Sequence, residues 1–146
     1  MVTIESLLIG LIVGFIFYEV SGVSPGGVVP PGYLALFLTQ PVKIGITLGV
    51  ALVVWWTIRM LSSWLILYGR RRLLLAILLG FCLKLGMDLW VQELPVVPWD
   101  IESIGYIIPG LIGHEMVRQR VLPTVASLGI VTVIVYTLLL LFSIIQ

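Results

Sequence analysis

The residues of this sequence that could do chemistry are cations and helix breakers, not catalysts. Arg70, Arg71 and Arg72 form its densest basic cluster. Such a triplet serves as a topology anchor at lipid headgroups, or as a basic collar that meets an anionic polymer or an acidic partner surface. Lys84 and Asp88 lie four residues apart within an apolar run, and so on one helix face. Charges inside a membrane span are costly and are functional candidates by default. These two either neutralise each other inside a bundle or line a path for anions. His114 and Glu115, with Arg118 and Gln119, read as a polar interfacial turn or as a patch that touches substrate. A single histidine excludes a two-histidine metal site within one chain, and no metal site is expected. The phosphate-cradling pattern G-x-x-x-x-G-K-[ST] is absent, and no serine sits in a nucleophile elbow. The lone Cys82 offers no disulfide framework and reads as a small buried hydrophobe. No catalytic residue and no bound cofactor is expected of this chain, so any ATP chemistry belongs to another.

Two apolar segments are broken by Pro-Gly at matching places in the two halves. The first contains Pro30, Pro31 and Gly32, and the second contains Pro109 and Gly110. Proline removes a backbone donor, and glycine weakens the helix. In hydrocarbon such backbone survives only inside protein or against a watery cavity. Paired breaks in corresponding segments point to a binding site or conduit at mid-membrane. Helices starting there would present unpaired N–H groups and a positive dipole end to carboxylates. A kink made only for packing is the plainer alternative.

The elements that must position these residues are membrane helices. Hydrophobic residues make up 60% of the chain and charged residues 10%, against roughly 25% charged in a soluble domain. The uncharged run from Val121 to Ile145 exceeds the ~20 residues that span a bilayer. Four spans emerge, over 4–20, from Pro41, over 73–90 and from Pro123. The second should continue as helix through Trp64 to Tyr68, about 42 Å at ~1.5 Å per residue, and end at Gly69. The stretch 92–103 reads as a loop outside the hydrocarbon. The N-terminus lacks the marks of a cleaved signal peptide, and 4–20 reads as a retained helix. A net charge of +1 implies no nucleic-acid partner.

The expected fold is therefore an all-α integral membrane protein, one domain over 1–146. It has four transmembrane helices and two re-entrant Pro-Gly segments. Gly14 aligns with Gly80, Pro31 with Pro109 and Pro41 with Pro123, which suggests repeat units 1–68 and 73–146. With the arginine triplet cytoplasmic, four crossings put both termini inside and Arg118 outside. The alternative is six crossings with inverted repeats, both termini outside and Arg118 and Arg120 inside. Segment length favours re-entrance, and charge favours crossing. So small a chain calls for homo-oligomers or partner subunits to enclose a wide pore.

The runs from Val29 to Val42, Leu67 to Arg71, Gly80 to Leu85 with Asp88, and Ile108 to Ile112 with Arg118 and Gln119 carry a resemblance. In order and spacing they resemble the small membrane subunit of bacterial poly-γ-glutamate synthase, the CapC or PgsC family. Pro30-Pro31 doubles a single proline of that pattern, and His114-Glu115 replaces uncharged residues. The resemblance implies a non-catalytic subunit in the bacterial plasma membrane. It implies a cytoplasmic ATP-dependent amide ligase partner (CapB or PgsB-like), which would hold the ATP and Mg. It also implies an outward-facing CapA or PgsA-like partner and a poly-γ-glutamate product. Arg70, Arg71, Arg72, Lys84, Asp88 and Arg118 are the candidate contacts to polymer or partner. A self-sufficient secondary transporter and a pure assembly scaffold are the competing functions.

Overall fold

A computed structural model describes residues 2–92 and 107–145. The loop expected over 92–103 lies almost wholly outside the described residues. The described residues form six α-helices: α1 (Val2–Ser21), α2 (Pro30–Leu36), α3 (Pro41–Leu61), α4 (Arg70–Gln92), α5 (Ile108–Gln119) and α6 (Val121–Ile145). Helices α1, α3, α4 and α6 are long and apolar enough to cross a membrane. Proline occupies the first or second position of α2, α3 and α5, where its missing N–H costs nothing.

Helix α3 stops earlier than its hydrophobicity suggests. The Ser62 and Ser63 hydroxyls donate to the carbonyls of Arg59 (3.0 Å) and Met60 (2.6 Å). Serine offers the backbone such local alternatives to continued helix. The chain then turns through 62–69, and Gly69 takes φ +60°. The three arginines form the first turn of α4 instead of following a helix end. Cys82 is exposed, not buried, because Ala76, Gly80 and Lys84 define the inner face of α4 and Cys82 points away from it.

The packing exchanges the third helices of the two halves. Helices α1 and α2 pack on α6, and α4 and α5 pack on α3. A cluster of Leu34, Ala51, Ile108, Ile112, Met116 and Leu128 joins them at the centre.

Around each Pro-Gly the described chain lies against the preceding long helix. After α1 the chain returns alongside it: Pro25 and Val28 lie at Gly14, and Gly32 lies at Gly10 and Ser6. Helix α5 likewise runs antiparallel to α4. Gly110 sits against Ala76 and Gly80, and Val117 reaches the cleft beside Arg72. This is the direction that the six-crossing alternative requires of the described residues. It brings the C-terminal ends of α1, α3 and α5 to the same end of the bundle as the N-terminal ends of α4 and α6.

Candidate functional site

That shared end is where the arginines are. The chain contains six arginines. Arg59 lies in the last turn of α3, Arg70, Arg71 and Arg72 in the first turn of α4, Arg118 in the last turn of α5, and Arg120 between α5 and α6. Sequence order scatters these residues; the antiparallel path of α5 brings Arg118 and Arg120 to the triplet's end. Trp64 and Tyr68, on the turn between α3 and α4, are exposed there. The Arg59 guanidinium lies over the Trp55 ring, 5.6 Å from its centre. Arg120 takes φ +78°, which makes a corner between α5 and α6 with no intervening loop.

Just inside this end lies a buried polar clasp. Residues 22–29 are not helical, so their backbone groups need partners at depth. The Gln119 side chain supplies them. Its Oε1 accepts from the Ser24 N–H at 2.9 Å, and its Nε2 donates to the Ser24 carbonyl and lies 3.1 Å from Thr124 Oγ1. The Gly27 N–H donates to Ser24 Oγ at 3.1 Å. The Ser127 hydroxyl lies 3.1 Å from the Ser24 carbonyl. Glu115 is buried in the same region, with Oε1 3.7 Å from His114 Nδ1 and 3.6 Å from Arg118 Nη1. Its Oε2 is buried and makes no hydrogen bond.

Lys84 and Asp88 form an ion pair of 3.2 Å on α4, with Lys84 almost fully buried. They are about 21 and 27 Å of helix from Arg70 at ~1.5 Å per residue, and so belong to a different level of the bundle. The Pro-Gly residues are buried against backbone. A Cβ on Gly32 would meet Ser6 O at 2.8 Å, and one on Gly110 would meet Ala76 O at 2.7 Å. Reciprocally, a Cβ on Gly80 would meet Gly110 N at 2.7 Å, and one on Gly10 would overlap Gly32. In contact, Gly80 matches Gly10, not the Gly14 with which the sequence pairs it. The Gly10-xxx-Gly14 spacing in α1 is the small-residue signal that marks this close approach. Ser24 carries no comparable sequence signal, because its partner is 95 residues away.

The capsule biosynthesis CapC family model matches residues 9–125. The capsule biosynthesis protein CapC of Bacillus anthracis is 35% identical over 123 residues, covering 84% of this chain and 83% of that protein. The PGA biosynthesis protein CapC of Bacillus subtilis (strain 168) is 37% identical over 126 residues, with the same coverage of each chain. No solved structure matches significantly. With a family model spanning most of its length and two such relatives, the chain belongs to the CapC family of capsule biosynthesis proteins.

Proposed function

We propose that this chain is a non-catalytic, multi-pass membrane subunit of poly-γ-glutamate capsule synthesis. It anchors a cytoplasmic ATP-dependent amide ligase at its arginine end and helps guide the anionic polymer across the plasma membrane. The observation that carries this reading is the gathering of all six arginines at one end. Arginine-rich ends stay in the cytoplasm, and ATP is there too. A polymer of carboxylates emerging from a ligase is attracted by such a field. The names of the relatives, a capsule and a PGA biosynthesis protein, support the product class. An outward-facing partner subunit completes the assembly.

The topology that follows has six crossings, two of them broken, with both termini outside. Cysteine labelling from outside, in cells whose Cys82 has been replaced, tests it. Probes at positions 71 and 118 should both be protected, and a probe at position 4 should react. Labelling at 118 with protection at 71 would restore the four-crossing arrangement. The subunit role is tested by purifying the tagged chain in mild detergent. The ligase should co-purify, and deletion of the chain should abolish polymer. A chain that purifies alone and is dispensable for polymer overturns the proposal.

One observation favours the scaffold reading for the breaks themselves. Gly32 and Gly110 pack against neighbouring backbone, and the space between α2 and α5 is filled by Leu34, Ile108, Ile112 and Met116. The polymer path therefore runs beside this centre, along surfaces shared with other subunits or copies.

A further inference from the structure

We propose that the cleft between the 62–69 turn and Arg72 binds one unit of a γ-linked glutamate chain, with Arg72 holding its carboxylate. This deepens the reading above and rests on it. The cleft has a volume of about 280 Å³ and lies among residues 62–68, Arg72 and Val117 of α5. Small-molecule pockets run from roughly 300 Å³ upward, so this one is sized for an amino-acid unit, not a whole cofactor.

Its walls offer three kinds of contact. First, Arg72 Nε is buried and has no hydrogen-bond partner. A buried donor left unpaired is a standing cost that a ligand oxygen removes. A carboxylate meeting Nε and a neighbouring Nη side-on makes the charge-assisted, two-point contact that guanidinium favours over ammonium. Second, the Ser62 and Ser63 hydroxyl protons are committed to the carbonyls of Arg59 and Met60. Their oxygens line the cleft with acceptor capacity left over, suited to an amide N–H. Third, Leu65 and Val117 give apolar surface. A γ-linked glutamate unit carries the matching groups: a free carboxylate and an amide N–H on the same carbon, and two methylenes leading on to the γ-carbonyl. A lipid phosphate matches only the first contact. Arg70 and Arg71 stand exposed beside the cleft and raise the local concentration of anions.

Trp64 lines the cleft and is a built-in reporter. The full chain in nanodiscs of neutral phosphatidylcholine is titrated with γ-linked triglutamate. The fluorescence change of Trp64 is isolated by subtracting a Trp64→Phe variant. A saturable change is expected. Arg72→Gln should weaken it roughly ten- to hundredfold, the range for a lost hydrogen bond to a charged group. Arg72→Lys, which keeps charge and bulk, should also weaken it measurably through loss of the fork. Lys43→Gln, at the opposite end of the bundle, should leave it within about twofold. The α-linked triglutamate, with a different spacing of carboxylate and amide, should bind more weakly. Absence of a saturable Trp64 signal, or equal binding by wild type and both Arg72 variants, overturns the proposal. So does loss of the signal when phosphatidylglycerol is added to the discs, which would make the cleft a lipid headgroup site. Polymer output of the deletion strain is scored separately. Polymer lost on deletion, with triglutamate binding indifferent to Arg72, rejects the cleft and leaves the subunit role standing. Unchanged polymer on deletion rejects the subunit role itself.

Discussion

The two Pro-Gly helices make the same contact and then diverge. Each lays a glycine on the backbone of the preceding long helix, Gly32 on α1 and Gly110 on α4. Helix α2 stops after seven residues and carries no charge. Helix α5 runs twelve residues to the arginine end and carries His114, Glu115, Arg118 and Gln119. The extra length has a structural use. It delivers Gln119 to Ser24, so the second half satisfies the non-helical backbone of the first. A shared packing device thus separates from a polar one found in only one half. The partner face differs too. Ser6, Gly10 and Gly14 line α1 at four-residue spacing, and Ala76, Gly80 and Lys84 occupy the same register on α4. Where α1 carries Gly14, α4 carries a buried ammonium paired with Asp88.

The largest effect should come from breaking what the halves share. Gly80→Leu and Gly10→Leu put side chains where only backbone fits. Overpacking costs about 1–3 kcal/mol where neighbours can shift, and backbone neighbours shift least. Loss of monodisperse protein in detergent is expected for both. A Cβ on Gly45 or Gly49 would meet nothing within 4 Å, and Gly45→Leu and Gly49→Leu should purify normally. A well-folded Gly80→Leu protein would show that the close approach is not required. The same logic makes Gly32→Leu and Gly110→Leu assembly mutants first, whatever the polymer does.

Next comes the device found in one half only. Gln119→Leu keeps volume but leaves the Ser24 N–H and carbonyl without the amide. The orphaned N–H costs roughly 1–3 kcal/mol, while the carbonyl keeps the Ser127 hydroxyl. Thermal unfolding in detergent should fall clearly, and amide exchange should rise at 24–27 before it rises elsewhere. Leu111→Ile, on the same helix, should cost less than about 1.5 kcal/mol. Equal melting of Gln119→Leu and Leu111→Ile would mean that the clasp contributes nothing.

Much of this was legible in the sequence because long apolar runs leave little choice. The four long helices follow from length and charge alone, as does the proline start of α3. The boundary after Leu61 did not, because two serines ended a helix that hydrophobicity would have continued to Tyr68. The path of the broken segments was also hidden. Segment length argued for re-entrance, yet 22–29 is non-helical and covers more distance per residue than helix does. The arginine end was half legible. Arg70, Arg71 and Arg72 are contiguous, but Arg59, Arg118 and Arg120 join them only once the direction of α5 is known. The clasp was least legible, since it depends on a pairing across almost the whole chain.

A smaller and more selective effect is expected at the arginine end. Replacing Arg70, Arg71 and Arg72 together with Gln removes exposed or half-exposed charge, so the fold should persist. Polymer yield should drop several-fold, since electrostatic attraction of a charged ligand acts over factors of about 10 or more. Quantifying capsule polymer beside the amount and orientation of the membrane-inserted variant checks this. Normal yield from a correctly oriented variant would leave the triplet with a topological role only.

The smallest effect should come from Glu115, although it looks the most charged-up residue of α5. Its contacts to His114 and Arg118 are long, 3.7 and 3.6 Å, and Arg118 is half exposed. Pairs of that kind contribute about 0–1 kcal/mol. Against this stands the burial of a carboxylate whose Oε2 has no partner. Glu115→Gln keeps the shape, removes the buried charge and weakens those long contacts. Gains and losses nearly cancel, and a change within about 1 kcal/mol is expected in the unfolding midpoint. A buried ion pair whose partner is removed costs about 3–5 kcal/mol, so a loss of that size would show that Glu115 holds Arg118 and His114 in place. The polar end of α5 would then be organised by charge, and Gln119 would owe its position beside Ser24 to Glu115.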